Sequence, residues 1–273
     1  MKSSILKDTK AMDCSMIMSS ILNDWFIAGA STRGLLHDYT NTTMQDRFRY
    51  SVSRGGDVVV CVSDGAGSCC LSHLGATLIT DTIVQHLERF SKSIDEEDLK
   101  DVFVLSRRVL ETYAMIDGCN LKDLSCTVIV GVFGPEKTLT AHIGDGAVVG
   151  RFEDEEDFVV LSPPAESEFS NVTDFITGDH WQDSLRIHVY HKPVDCFLAF
   201  TDGLHKAVLK PLNKHSYTVG EGFAPRLIEK IQETLETKRG IERVGAMVNT
   251  LILSENISLY SDDDKTLVIG VKK

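Results

Sequence analysis

The chain has 273 residues, with 28 Lys and Arg against 40 Asp and Glu, a formal charge of −12. That acidic surplus excludes a protein that grips the nucleic-acid backbone, which needs a basic face to displace counterions, and it offers nothing to hold an anionic membrane. No apolar run approaches the roughly 20 residues that cross a bilayer, and Met1 to Lys10 has no secretory core, so a cytoplasmic protein is expected.

Residues 1–24 read as an extension of a main domain at 25–273. Met12, Met16, Ile17, Ile21 and Leu22 suggest a helix packed on that domain, with a partner-binding segment as the alternative. Trp25 to Ser31, Arg47 to Ser53 and Asp57 to Val62 are short, β-rich and broken by Gly or polar residues, which predicts strands. The period then changes. Leu71, Leu74, Leu78, Ile83, Leu87 and Phe90 predict one amphipathic helix, and Leu99, Val102, Val109, Tyr113 and Ile116 a second, begun by the acids Asp95 to Asp98. Strands follow at Ser125 to Phe133, Lys137 to Ile143, Ala147 to Phe152, Phe158 to Leu161, Leu185 to His191 and Cys196 to Phe200. Helices at Pro225 to Thr237 and Glu242 to Ser254 and a last strand at Thr266 to Val271 complete the chain. Strands in meanders and helices in paired blocks describe an α+β layered domain, not a doubly wound βαβ sheet. Seven cysteines without a C-x-x-C spacing point to reduced thiols, not to a disulfide framework or a zinc site.

One pattern recurs three times: an apolar strand ending in Asp-Gly, at Asp64-Gly65, Asp145-Gly146 and Asp202-Gly203. Two further carboxylate points flank strands, Gln45-Asp46 before one and Asp262-Asp263-Asp264 before the last. A single Asp-Gly is ordinarily a turn, and Asp117-Gly118 reads as a helix cap. Five carboxylate sites at strand ends are different, because gathering them at one sheet edge requires cations or protons to hold like charges together. An all-oxygen set without His or Cys suits Mg²⁺ or Mn²⁺, and two such ions suit hydrolysis of a phosphate ester.

The motifs resemble those of the PPM, or type 2C, metal-dependent Ser/Thr protein phosphatases. The likeness runs from about Ile27 to Val271 and is nearest the bacterial branch. It rests on His37 spaced from Gln45-Asp46, on Asp64-Gly65-Ala66-Gly67-Ser68, and on Gly144-Asp145-Gly146. Glu168 to Thr177, Thr201-Asp202-Gly203 and Asp263-Asp264-Lys265-Thr266 complete it. The resemblance implies a four-layer α-β-β-α sandwich, two mainly antiparallel sheets flanked by helical pairs. It implies that Asp64 bridges two metals with the Gly65 carbonyl on one of them, that Asp202 and Asp263 complete the first site, and that Asp46 binds through water. Asp145 would hold a third metal with Asp202. Activated water would attack phosphorus directly. Substrates would be phosphorylated proteins made by an opposing kinase, and the enzyme a monomer.

This sequence departs from the family in three places. Gln45 stands where Glu is usual, Asn41 occupies the position of the eukaryotic phosphate-binding Arg, and Ala66 replaces a histidine. His37 is therefore the candidate for phosphate contact or proton transfer, with Arg33 as the alternative. Glu168, Asn171 and Thr173 correspond to a flap beside the active site, with contact to substrate or capping of loop backbone as their two readings.

Overall fold

The computed structural model describes residues 15–165, 173–213 and 216–273. Strands β1 (Ser15–Leu22) and β2 (Trp25–Thr32) form a hairpin whose turn residue Asn23 takes φ 52°, a left-handed conformation that asparagine tolerates. The short helix α1 (Leu35–Thr40) precedes β3 (Arg47–Val52) and β4 (Val58–Ser63), and the long helices α2 (Ser72–Leu87) and α3 (Glu96–Asp117) follow. Asp95 caps α3 by accepting from Asp98 N while the Asp98 carboxylate accepts from Asp95 N, which satisfies two free donors of the first turn. Then come β5 (Val128–Phe133), β6 (Thr138–Ile143), β7 (Ala147–Phe152), β8 (Val159–Ser162), α4 (Trp181–Ser184), β9 (Arg186–Tyr190) and β10 (Val194–Phe200). The chain ends with α5 (His205–Val208), the hairpin β11 (Leu209–Asn213) and β12 (Ser216–Val219), α6 (Phe223–Leu235), α7 (Gly240–Ile252), α8 (Glu255–Ser258) and β13 (Lys265–Lys272).

Two antiparallel sheets lie face to face. One has the order β1-β2-β13-β10-β7-β8 and the other β3-β4-β5-β6-β9. Their inner faces share a core that includes Ile27, Phe48, Val60, Ile129 and Val268, with Phe133 and Phe197 stacked at 3.8 Å across it. Helices α2 and α3 cover the outer face of the five-stranded sheet through Ile79, Ile83, Leu87, Leu99 and Phe103. Helices α6 and α7 cover the six-stranded sheet through Leu227, Ile231, Val244 and Val248. The result is the α-β-β-α sandwich. Because both faces of the central strands are covered, β4, β5 and β10 read as nearly continuous apolar runs without alternation.

The amino-terminal reading is corrected here. Ser15–Leu22 is a strand, paired along its whole length with β2 from Ser15↔Thr32 to Leu22↔Trp25, so the folded unit begins at or before Ser15 and not at Trp25. Met16, Met18 and Leu22 turn toward the inter-sheet core while Ile17 and Ile21 lie on the other face. Apolar side chains on both faces hide the period of two, and the spacing then mimics a helix.

Gly75 shows how tightly α2 is seated. A Cβ there would lie 2.0 Å from the carbonyl oxygen of Leu124, in the turn that leads to β5. Backbone cannot rotate away as a side chain can, so Gly75→Ala is expected to cost about 1–3 kcal/mol of stability despite its better helix propensity. A thermal melt of the variant checks this, and a melting temperature at or above wild type would refute it.

Candidate metal centre

All five predicted carboxylate positions come to one edge of the sandwich. Antiparallel register explains it: Arg47, following Asp46, pairs with Ser63, preceding Asp64. In the other sheet Phe200, near Asp202, pairs with Ala147 and Leu267, next to the Asp145 and Asp263 segments. Beyond β4 the chain stays zipped to the segment before β5, through Thr127 N to Asp64 O at 2.8 Å, a Gly65↔Cys126 bridge and Ala66 N to Ser125 O at 2.9 Å. Asp64 and Gly65 are thus carried on a rigid extension of the hairpin.

Asp46 is fully buried and is held from the opposite sheet. Its Oδ2 accepts from Thr201 Oγ1 and Thr266 Oγ1, both at 2.8 Å, while Oδ1 is buried without a hydrogen-bond partner among the described residues. Asp202 Oδ1 and Gln45 Oε1 are buried and unpartnered in the same way. Burial, and then the negative charge of Asp264, raises the Asp46 carboxyl well above the ordinary range despite the two threonine hydroxyls. Asp64 is raised well above it by burial and by the charges of Asp46, Asp202, Asp263 and Asp145. Burial and the charges of Asp145 and Asp263 push Asp202 up to about 7. Three buried acceptor oxygens without donors, among carboxylates that resist ionisation, form an arrangement that a divalent cation satisfies and a hydrogen-bonded core would not tolerate. The residues fit hard cations.

Asp145 follows Gly144 at a turn gripped from behind. Arg186 donates from Nη2 to the Gly144 carbonyl at 2.7 Å and from Nη1 to the Pro163 carbonyl at 3.0 Å, and Ala165 N also reaches Gly144 O. Thr173 Oγ1 donates to Asp145 Oδ2 at 2.6 Å, so the flap residue touches the cluster itself. Glu168 and Asn171 lie outside the described residues.

His37 is buried on α1, and its Nδ1 lies 2.9 Å from Asp264 Oδ1. Asp264 also accepts from Gly34 N at 2.7 Å and from Gln45 N at 2.6 Å. This buried carboxylate therefore ties α1, the approach to Asp46 and β13 into one unit, a role that sequence reasoning did not assign. His37, Asp263 and Asp264 each place a ligand atom within 4.8 Å of the others. Gly34 permits the arrangement, since a Cβ there would stand 2.3 Å from the Asp262 carbonyl oxygen. Arg33 is paired with Asp38, and its Nη1 reaches the Thr42 carbonyl at 3.4 Å. Thr201 and Thr266 were legible only as letters of their motifs, and the signal that marks them is the buried carboxylate they share.

Residues 33–251 match the model of the family described as Protein phosphatase 2C. The chain belongs to that family. This protein phosphatase 2C member is 25% identical over 257 residues to Serine/threonine-protein phosphatase 3 of Escherichia coli (strain K12), covering 90% of this chain and 98% of the relative. Among solved structures, the catalytic domain of the serine threonine protein phosphatase PstP in complex with 2 manganese ions superposes with TM-score 0.60 at 14% identity, over 90% of this chain and 97% of that one. The serine/threonine phosphatase Stp1 from Staphylococcus aureus gives TM-score 0.58 at 13% identity, over 94% and 98%. The α+β sandwich is the fold of these phosphatases, and the chain is a phosphoprotein phosphatase by family.

Proposed function

We propose that the chain is a divalent-metal-dependent serine/threonine protein phosphatase. The observation that carries this reading is the meeting of Asp46 and Asp64 from one sheet with Asp202 and Asp263 from the other, with buried unpartnered oxygens on Asp46 and Asp202. Asp46, Asp64, the Gly65 carbonyl, Asp202 and Asp263 would hold two Mn²⁺ or Mg²⁺ ions, and Asp145 with Asp202 a third. The relative solved with 2 manganese ions supports the two-ion count. Such ions supply activation of water and neutralisation of phosphoryl charge during in-line displacement.

The side chains of this protein set the stage for that chemistry. Thr201 and Thr266 occupy Asp46 Oδ2 and so leave Oδ1 as its open acceptor. Asp264 fixes the ring of His37, and phosphate contact or proton transfer falls to the other imidazole nitrogen. Arg33, engaged by Asp38 and the Thr42 carbonyl, is the weaker candidate for that role. Thr173 brings the flap against Asp145, where Glu168 and Asn171 would follow it toward substrate. In this reading a separate kinase makes the phosphoserine and phosphothreonine substrates, and the enzyme works as a cytoplasmic monomer. Free thiols at all six described cysteines agree with a reducing compartment. No helix among the described residues is long and apolar enough to cross a membrane.

The test is turnover of p-nitrophenyl phosphate and of phosphopeptides with Mn²⁺. A metal-dependent rate that falls at least about a hundredfold in Asp202→Asn, with phosphopeptides preferred over sugar phosphates, is the expected result, since loss of even an outer partner of a metal ligand costs about 10–100-fold. No rate with any divalent metal would mark a binding protein on a phosphatase fold, and preference for sugar phosphates a small-ester hydrolase.

A further inference from the structure

Among the described residues twelve large apolar side chains are exposed, and five of them, Leu35, Leu36, Tyr39, Leu259 and Tyr260, lie on two segments that meet beside the carboxylate cluster. Leu35, Leu36 and Tyr39 share one face of α1, 55%, 57% and 91% exposed, while His37 on another face of that helix is buried against Asp264. Leu259 and Tyr260 follow α8 and run into Asp262, Asp263 and Asp264. The two segments are fastened together, for Leu36 N donates to Asp262 O at 3.1 Å and Gly34 N to Asp264 Oδ1 at 2.7 Å. Exposed apolar residues scattered singly are ordinary, but five on two joined segments at the rim of one site are not.

We propose that this patch is the docking surface for the residues flanking phosphoserine or phosphothreonine in a substrate protein, and that it selects substrates with apolar side chains beside the phosphoresidue. Continuity with the cluster argues for this occupant. A polypeptide whose phosphate reaches Asp64 and Asp263 has its neighbouring residues on the rim, and α1 is tied to that rim by three hydrogen bonds. The chemistry that α1 offers there is largely apolar: His37 is turned inward to Asp264, the half-exposed Asp38 is paired with Arg33, and the most exposed large side chains are Leu35, Leu36 and the Tyr39 ring. An acidic flank would find no cation on α1 and a basic flank only the Asp38 carboxylate that Arg33 already holds, whereas a leucine or phenylalanine would bury area against Leu35 and Tyr39. The inference rests on the metal-dependent phosphatase reading of the cluster and adds to it a substrate class.

The experiment compares two phosphothreonine peptides, one with leucine on both sides of the phosphoresidue and one with serine, on wild type, on Leu35→Ser/Tyr39→Ser and on Leu259→Ser. Wild type is expected to favour the leucine peptide by about tenfold in kcat/KM, mostly through KM, the low end of what one apolar group contributes in a pocket. In the variants that preference should shrink to about threefold or less, with turnover of p-nitrophenyl phosphate and the melting temperature unchanged. No preference in wild type, or the same preference in the variants, overturns the proposal. So does a rise in peptide turnover in the variants, which would mean that the chain covers its own patch. A wild-type dimer that the variants dissolve into monomers would assign the patch to a second copy and also overturn it. Absence of Mn²⁺-dependent turnover of every substrate removes the phosphatase reading itself, whereas turnover without flank preference removes this inference alone.

Discussion

Saturating Mn²⁺ is expected to raise the melting temperature by about 5–10 °C near pH 8, and by much less near pH 5. The size follows from linkage: ligand at a hundredfold its dissociation constant adds about 2.7 kcal/mol, and each kcal/mol moves a domain of this length by about 2–4 °C. The pH dependence follows from the carboxylates. Asp46, Asp64 and Asp202 are raised in the folded chain, Asp202 to about 7, by burial first and by neighbouring carboxylates second, Asp264 for Asp46, Asp46 for Asp64 and Asp145 for Asp202. Without metal, each of them binds a proton in the fold that the unfolded chain has already released above about pH 4. Their contribution to stability is therefore fully present below that pH and is lost as pH rises through 7, so the metal-free melting temperature should fall between pH 5 and 8. Cations take the place of those protons, which is why the stabilisation by Mn²⁺ grows over the same window.

Asp64→Asn separates the two effects. It removes the carboxylate most surrounded by others, so near pH 8 without metal the variant should melt at or above wild type, while its response to Mn²⁺ disappears. Calorimetry with and without metal at the two pH values measures all of this. A wild-type melting temperature unmoved by millimolar Mn²⁺, or a metal-free protein that grows more stable from pH 5 to 8, would sink the assignment of these side chains as ligands.

The legible parts of the structure were those that local physics determines. Strands such as β4 and β10 announced themselves because sheets covered on both sides need unbroken apolar runs, and α3 because its acids cap and complement its start. The carboxylates at 46, 64, 145, 202 and 263 were legible because each sits at a strand end, usually with a glycine behind it. What escaped depends on distant partners. β1 escaped because its two faces meet different layers, and α1 because it is six residues long and is fixed by tertiary bonds. His37 could be nominated as a site residue, but its orienting partner lies 227 positions away, and nothing near Asp264 distinguishes it from its acidic neighbours. Thr201 and Thr266 are likewise 155 and 220 positions from the carboxylate they hold. A residue that joins the two sheets has no signature until the sheets are stacked.

Asp264 gives the second large effect. Its carboxylate is 2% exposed and accepts from Gly34 N, Gln45 N and His37 Nδ1. Asp264→Ala strands these donors in a dry site. Each orphaned donor costs about 1–3 kcal/mol, and a joint loss of about 3–5 kcal/mol is expected, lowering the melting temperature by roughly 10 °C or more. Function should suffer as well, because Gln45 N is the amide just before Asp46 and Gly34 N begins the helix that carries His37. Turnover should fall about 10–100-fold with a higher Mn²⁺ requirement, the usual result of losing the group that orients a ligand. Asp264→Asn should lie between. Its one oxygen can still accept from Gly34 N and His37 in place of Oδ1, and removing its charge relieves the repulsion that raises Asp46, but its NH₂ then faces the Gln45 N–H. The ranking wild type, then Asn, then Ala should therefore hold in melting temperature and in Mn²⁺ requirement together. An Ala variant within about 2 °C of wild type that keeps its metal requirement would show that α1 and Asp46 are held in place without this carboxylate.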